Sequence, residues 1–189
     1  ATDNQAATDY DKKWIPGQWK VPEAYDNPAS NDPWYFSTIR EANYFLETVV
    51  PRFEKGEIEG SETNIKHYIG EMYFLRAKNY LSKLETFGDF PIIKNTLPDE
   101  SESLIQASKR APRYKVAHFI LEDLDQAISL LTNNISGGKN RITKNAALLL
   151  KSRAALFEAS WLTYHKGTAL VPGGPGSVSY THLRAHETC

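Results

Sequence analysis

Residues 70 to 93 read GEMYFLRAKNYLSKLETFGDFPII, and no other stretch of the chain restricts the fold as tightly. Together with Ile65 and Ile69 just upstream, Met72, Tyr73, Ala77, Tyr80, Leu81 and Leu84 recur at the three- and four-residue spacing of one helix face. Phe74 and Leu75 widen that stripe sideways. An apolar stripe wider than ~100° needs neighbours on more than one side. The spacing therefore predicts a helix over 62–87 that sits among other helices. Gly88 is expected to end it as a left-handed cap, and Pro91 to prevent its resumption, with 91–93 as a short extended piece.

Three further segments carry the same period. Phe36, Ile39, Ala42, Leu46, Val49 and Val50 predict a helix over 33–50, with Asp32 as N-cap, Pro33 in its first turn and Pro51 as its stop. A polar connection over 95–111 shows no element. Pro112 then opens a helix predicted over 112–133, in which Val116, Ile120, Leu124, Ala127, Ile128 and Leu131 line one face. Gly137-Gly138 breaks the chain, and Thr143 caps a fourth helix over 143–165. There AALLLKSRAALFEASWL is apolar almost all round, with five alanines that admit close neighbours, so this helix is expected to be central. Aligning 70–84 on 145–159 matches Leu75 with Leu150 and Leu81 with Leu156. Amphipathic helices alternating with widely apolar ones predict an all-α, tetratricopeptide-like stack of helix pairs. Its loops are too long and irregular for a regular array of about 34-residue repeats.

Composition narrows the function classes. A chain of 189 residues suffices for one domain, burying roughly 70% of its unfolded surface. Charged residues make up 24% and nearly cancel, to −1, which excludes both a disorder signature and the basic excess of a nucleic-acid partner. The single cysteine, Cys189, offers no disulfide framework and no zinc spacing. No run of ~18 apolar residues or charged-then-apolar leader occurs; the opening ATDNQAATDYDKK, without an initiating Met, reads as a mature form or a fragment. At the other end, SVSYTHLRAHET reads as translated adapter or vector sequence, so 172–189 is set apart as a non-native tail. Its His182 and His186 share metal-pair spacing but lack a third ligand. No metal and no cofactor is expected.

The remaining segment, 1–33, is interrupted by Pro16, Pro22, Pro28 and Pro33 and rich in Asn and Asp, yet it holds Trp14, Trp19 and Tyr25. The organisation is thus 1–33 as a loop-rich aromatic segment, 34–171 as the helical segment, and the tail. Sugar rings present C–H faces to aromatic planes and hydroxyls to amides. Trp14, Gln18, Trp19, Tyr25 and Asn27 supply both kinds of contact and are the candidate glycan-binding residues. At on the order of 1 kcal/mol per ring, two or three rings give binding near the millimolar scale, about −4 kcal/mol. The same rings also fit a second role as buried anchors that pin the segment, Trp34 above all, while Trp14 is the preferred ligand contact. Catalysis has little support: a glycosidase needs two carboxylates about 5 to 9.5 Å apart across a cleft, the acids here lie mostly on solvated helix faces, and no nucleophile elbow occurs. Asn43, between Ile39 and Leu46, is read as a buried amide tying its helix to a neighbour's backbone. Glu71 and Arg76 are read as structural groups bonded to neighbouring helices.

GEMYFLRAKNYLSKLETFGDFPII resembles the signature of the SusD/RagB family, a Gly-Glu-x-x-Phe-Leu-Arg-Ala helix ending in an aromatic-Gly-Asp-x-Pro run; Gly88, Asp89 and Pro91 fall on that run. WYFSTIREANYFLE (34–47) and RITKNAALLLKSRAALFEA (141–159) are similar to two further elements of the family, in the same order. The resemblance covers about 30–165. It implies a surface lipoprotein of the Gram-negative outer membrane that captures oligosaccharide or peptide, without catalysis, and hands it to a SusC/RagA-like TonB-dependent transporter. It also implies that this chain is an N-proximal part, lacking the lipidated N-terminal Cys and a larger C-terminal portion. The alternative from a different class is a helical-repeat adaptor that binds only other proteins.

Overall fold

The computed structural model describes residues 15, 16, 34–134 and 140–171. Five helices follow in chain order: α1 (Ser37–Glu54), α2 (Glu62–Phe87), α3 (Ser101–Ala107), α4 (Arg113–Leu130) and α5 (Lys144–Tyr164). Among the described residues the extended pairing is a single antiparallel bridge between Phe90 and Ala111. The fold is all-α. All five helices belong to the compact unit Pro33–Cys189.

The wide apolar stripe of α2 meets α1, α4 and α5, which is why it could not be confined to one face. Its Ala77, Tyr80, Leu81 and Leu84 share one core with Ile39 of α1, Val116, Phe119, Ile120 and Leu124 of α4, and Ala154 of α5. Phe90 is fully buried beneath an aromatic layer in which Phe36 stacks at 5.1 Å and Trp34 at 5.5 Å. Gly70 lets α2 approach the end of α4: a Cβ there would lie 3.0 Å from Leu131 Cγ and 3.1 Å from Leu130 Cβ.

Most helix limits follow the local signals. The predicted span 62–87 coincides with α2. Gly88 ends it at φ 74°, ψ −95°, a positive φ that favours glycine but lies outside the left-handed helical basin, while its N–H donates to Leu84 O at 3.0 Å. Thr143 caps α5 by accepting from Ala146 N at 3.3 Å. Other limits shift. The first helix begins at Ser37 rather than 33 and runs through Pro51 to Glu54; so near a C-terminus the proline removes one hydrogen bond and has no long continuation to kink. Pro112 stands at the N-cap of α4 rather than inside its first turn. In the 95–111 connection, α3 is an unanticipated element; it has seven residues, none buried, and so displays no readable period.

The expected central position of the fourth helix is not observed. Helix α5 buries only Ala147, Ala154 and Glu158, while Leu149 and Leu156 are 73% and 69% exposed. The alignment that pairs Leu81 with Leu156 therefore joins a core residue to a surface one. Apolar composition all round a helix permits burial on every side but does not supply the neighbours. The second enclosed helix is α4, which buries seven residues besides Arg113, from Val116 to Ala127.

Candidate functional site

The buried cation Arg76 ties three helices together. Arg76 of α2 donates through Nε and Nη2 to the two carboxylate oxygens of Asp123 on α4, at 2.7 and 2.8 Å, and through Nη1 to Asn43 Oδ1 of α1 at 2.9 Å. Such a bidentate pair fixes the relative setting of its helices more than a single ion contact does. Burial pushes the Asp123 carboxyl above its ordinary range, against the opposing pull of the Arg76 hydrogen bonds and charge. The network continues into the chain that follows α2. Asn43 Nδ2 donates to Ile93 O at 2.8 Å, and the Tyr80 hydroxyl both accepts from Ile93 N at 2.8 Å and donates to Ile93 O at 3.2 Å. Burial pushes the Tyr80 phenol up to about 12. An irregular segment over 91–97 is thereby fixed to α1 and α2 without belonging to a sheet.

That segment forms one wall of a cleft of about 380 Å³, with Trp34, Ile39 and Arg40 on the α1 side and Leu104 and Ser108 of the α3 region opposite. The interior is largely apolar. Arg40 and Asn95 are exposed at its edge, whereas the amide of Asn43 is fully engaged with Arg76 and the 93–95 backbone. Among the described residues the lining contains no carboxylate, thiol or imidazole. Such a cleft can hold an apolar or ring-shaped group against Trp34 and Phe36. Trp34 itself packs on Phe87 at 4.3 Å and beneath Arg110 at 5.0 Å, in keeping with an anchoring role.

Two further ionic joints hold the frame. Glu71 accepts from Arg141 and, at 3.1 Å, from Ile142 N, tying α2 to the chain entering α5. Asp89 Oδ1 accepts from Arg113 N at 2.7 Å and so supplies the N-terminal cap of α4 that Pro112 cannot. Arg113 donates to Glu158 Oε2 at 2.9 Å and lies 4.1 Å from the Trp161 ring centroid. Pro91 is buried and lines the cleft. Asn43 and Arg76, Glu71, and Asp89 thus lie on three different joints rather than in one site, while Gly88 ends α2 and Pro91 lines the cleft. The ligand candidates Trp14, Gln18, Trp19, Tyr25 and Asn27 lie outside the described residues, as do His182 and His186. Tyr80, Asp123 and Glu158 were not anticipated as polar partners. Asp123 follows Arg76 by 47 residues, and no local spacing links the two.

Fold and joints together define an all-α helical scaffold. A family model described as "Starch-binding associating with outer membrane", SusD-like, matches residues 1–156. The chain belongs to the SusD-like family, a family of glycan-binding proteins rather than enzymes. Among solved structures, a SusD-like protein from Bacteroides fragilis is 30% identical with a TM-score of 0.58, over 71% of this chain and 25% of that one. A laminarin-binding SusD-like protein is 24% identical with a TM-score of 0.52, over 63% of this chain and 24% of that one. Surface glycan-binding protein A from Bacteroides fluxus is 23% identical with a TM-score of 0.53, over 73% and 28%. These last two share the fold. The chain spans about a quarter of the length of these structures. No curated protein matches it. No helix among the described residues is long and apolar enough to cross a membrane.

Proposed function

We propose that this chain is the N-proximal part of a cell-surface protein that captures oligosaccharide at the outer membrane and delivers it to a partner TonB-dependent transporter. The helices act as a rigid frame, and the aromatic segment 1–33 carries ligand contacts, Trp14 first among them. The observation that carries this reading is the family match over 1–156, which takes in that segment as well as the helices. The three ionic joints support it, because a frame that must present contacts to a polymer benefits from fixed helix positions. The boundaries at 33 and 171 divide it into contact segment, frame and foreign tail. A lipid anchor on the full-length protein would hold it at the membrane.

A second reading, a helical adaptor for other proteins, is favoured by one observation: Phe90, at the centre of the aromatic layer, is fully buried. Affinity electrophoresis of the full-length protein through gels containing starch or laminarin separates the two. Capture predicts retardation by at least one glycan, weakened about fivefold by Trp14→Ala at the ~1 kcal/mol expected of one ring, with an unchanged helical circular dichroism spectrum. Migration indifferent to every polysaccharide, wild-type and variant alike, would sink capture and leave the adaptor.

A further inference from the structure

The cleft between α1 and the α3 region has no part in glycan capture as proposed, which places the ligand contacts on 1–33. Its volume of about 380 Å³ lies within the roughly 300–1,000 Å³ of small-molecule sites. Its walls are fixed before anything enters. Tyr80 and Asn43 hold the 93–97 wall at Ile93, and Glu47 Oε2 holds it at Thr96, accepting from the backbone N at 3.0 Å and from the hydroxyl at 2.6 Å. On the other side the Trp34 and Phe36 rings are both backed by Phe90. A ligand entering here has little of the protein left to order.

Two features of the mouth select what that ligand is. Arg40, one helical turn beyond Phe36, lines the cleft and is exposed, and among the described residues its guanidinium meets no carboxylate. The acids that flank it on α1 have other partners, Glu41 in Ser37 and Glu47 in Thr96. A second cation, Arg110, lies 5.0 Å from the centroid of the Trp34 ring. Both favour an anion, and the planar fork of Arg40 fits a carboxylate through two parallel hydrogen bonds. Neutral polar groups are few: Asn95 at the edge, and Ser108, whose hydroxyl already donates to Leu104 O at 2.6 Å. A pyranose carries hydroxyls around its whole rim, and against Ile39, Ile93, Leu97 and Leu104 most of them would lose water without gaining a partner. A flat aromatic ring has no such loss.

We infer that this cleft is a binding site for a small aromatic carboxylate, with its ring against Trp34 and Phe36 and its carboxylate on Arg40. The inference goes beyond glycan capture, and its test uses no polysaccharide. Calorimetric titration of the full-length protein with trans-cinnamate should give a dissociation constant on the order of 0.1–1 mM, the scale open to a ligand of about eleven non-hydrogen atoms. Cinnamamide, the same ring without the charge, should bind about tenfold more weakly. Arg40→Gln should weaken cinnamate about tenfold and leave cinnamamide unchanged, and Arg40→Lys, which keeps the charge but not the fork, about threefold. Leu104→Glu, which sets an anion on the opposite wall, should weaken cinnamate as well. Both positions are exposed, so the circular dichroism melt of each variant should match that of the unsubstituted protein. The comparison of cinnamate with cinnamamide needs no substitution and decides alone where a variant melts early. No cinnamate binding at about 10 mM, equal affinity for the amide, or affinity indifferent to both Arg40 and Leu104 overturns the inference. So does tighter binding of glucuronate than of cinnamate, which would assign the cleft to a sugar acid.

Discussion

At the scale of single residues, Tyr80 shows how one atom can replace a run of secondary structure. Its hydroxyl satisfies both backbone groups of Ile93, in a segment with no sheet partner of its own. Tyr80→Phe leaves the Ile93 N–H unpaired at a partly buried position, and a loss of about 1–3 kcal/mol in denaturant unfolding is expected. The same hydroxyl gives an alkaline signature. Because the folded phenol ionises near 12 rather than at 10.0, the folded state keeps its proton after the unfolded state has lost it. Its contribution is complete below pH 10.0 and disappears as pH rises toward about 12. Burial also raises the Tyr73 phenol, so ultraviolet titration should resolve late phenols, of which the one near 12 is missing in Tyr80→Phe; loss of no late component in that variant would contradict the burial described.

At the scale of elements, Gly70 opposes two ordinary rules. Alanine is the better helix former by about 1 kcal/mol, so Gly70→Ala would stabilise an isolated α2. Within the fold the new Cβ meets Leu130 and Leu131 at 3.0–3.2 Å, and overpacking of this kind typically costs about 1–3 kcal/mol. The expected outcome is a lower thermal midpoint for Gly70→Ala, reversed in direction if α2 and α4 are not this close. Helix limits were legible in the sequence wherever glycine, a cap or a period change marks them, as at Gly88 and Thr143. They were not legible where the decisive partner is distant: the cap of α4 comes from Asp89, 24 residues upstream. Helix α3 has too few residues to show a period, and α5 shows that apolar character records what a helix can bury rather than what it buries here. The Arg76 joint was half legible: a charged residue within an apolar stripe announces a partner, but Asp123 could not be singled out among the acids of α4.

At the scale of the whole molecule, the exposed leucines of α5 take no part in the ionic joints. Replacing both Leu149 and Leu156 with Gln in the 189-residue chain should reduce binding of an apolar dye while changing stability by no more than about 0.5 kcal/mol per site. A collapse of the thermal transition instead would mean that these leucines support the core. The Phe90–Ala111 bridge acts at this scale too. Its two backbone hydrogen bonds, 3.2 and 3.1 Å long, close the neck of an excursion that contains α3 and every part of the cleft lining outside the α1 side. With the neck tied, residues of the excursion beyond 97 can change in identity or number while the entry to α4 keeps its position, since lengthening a closed loop adds only about 0.6 kcal/mol per doubling. The stack is the chassis, and the part of the excursion beyond residue 97 is a replaceable panel through which cleft shape can be tuned.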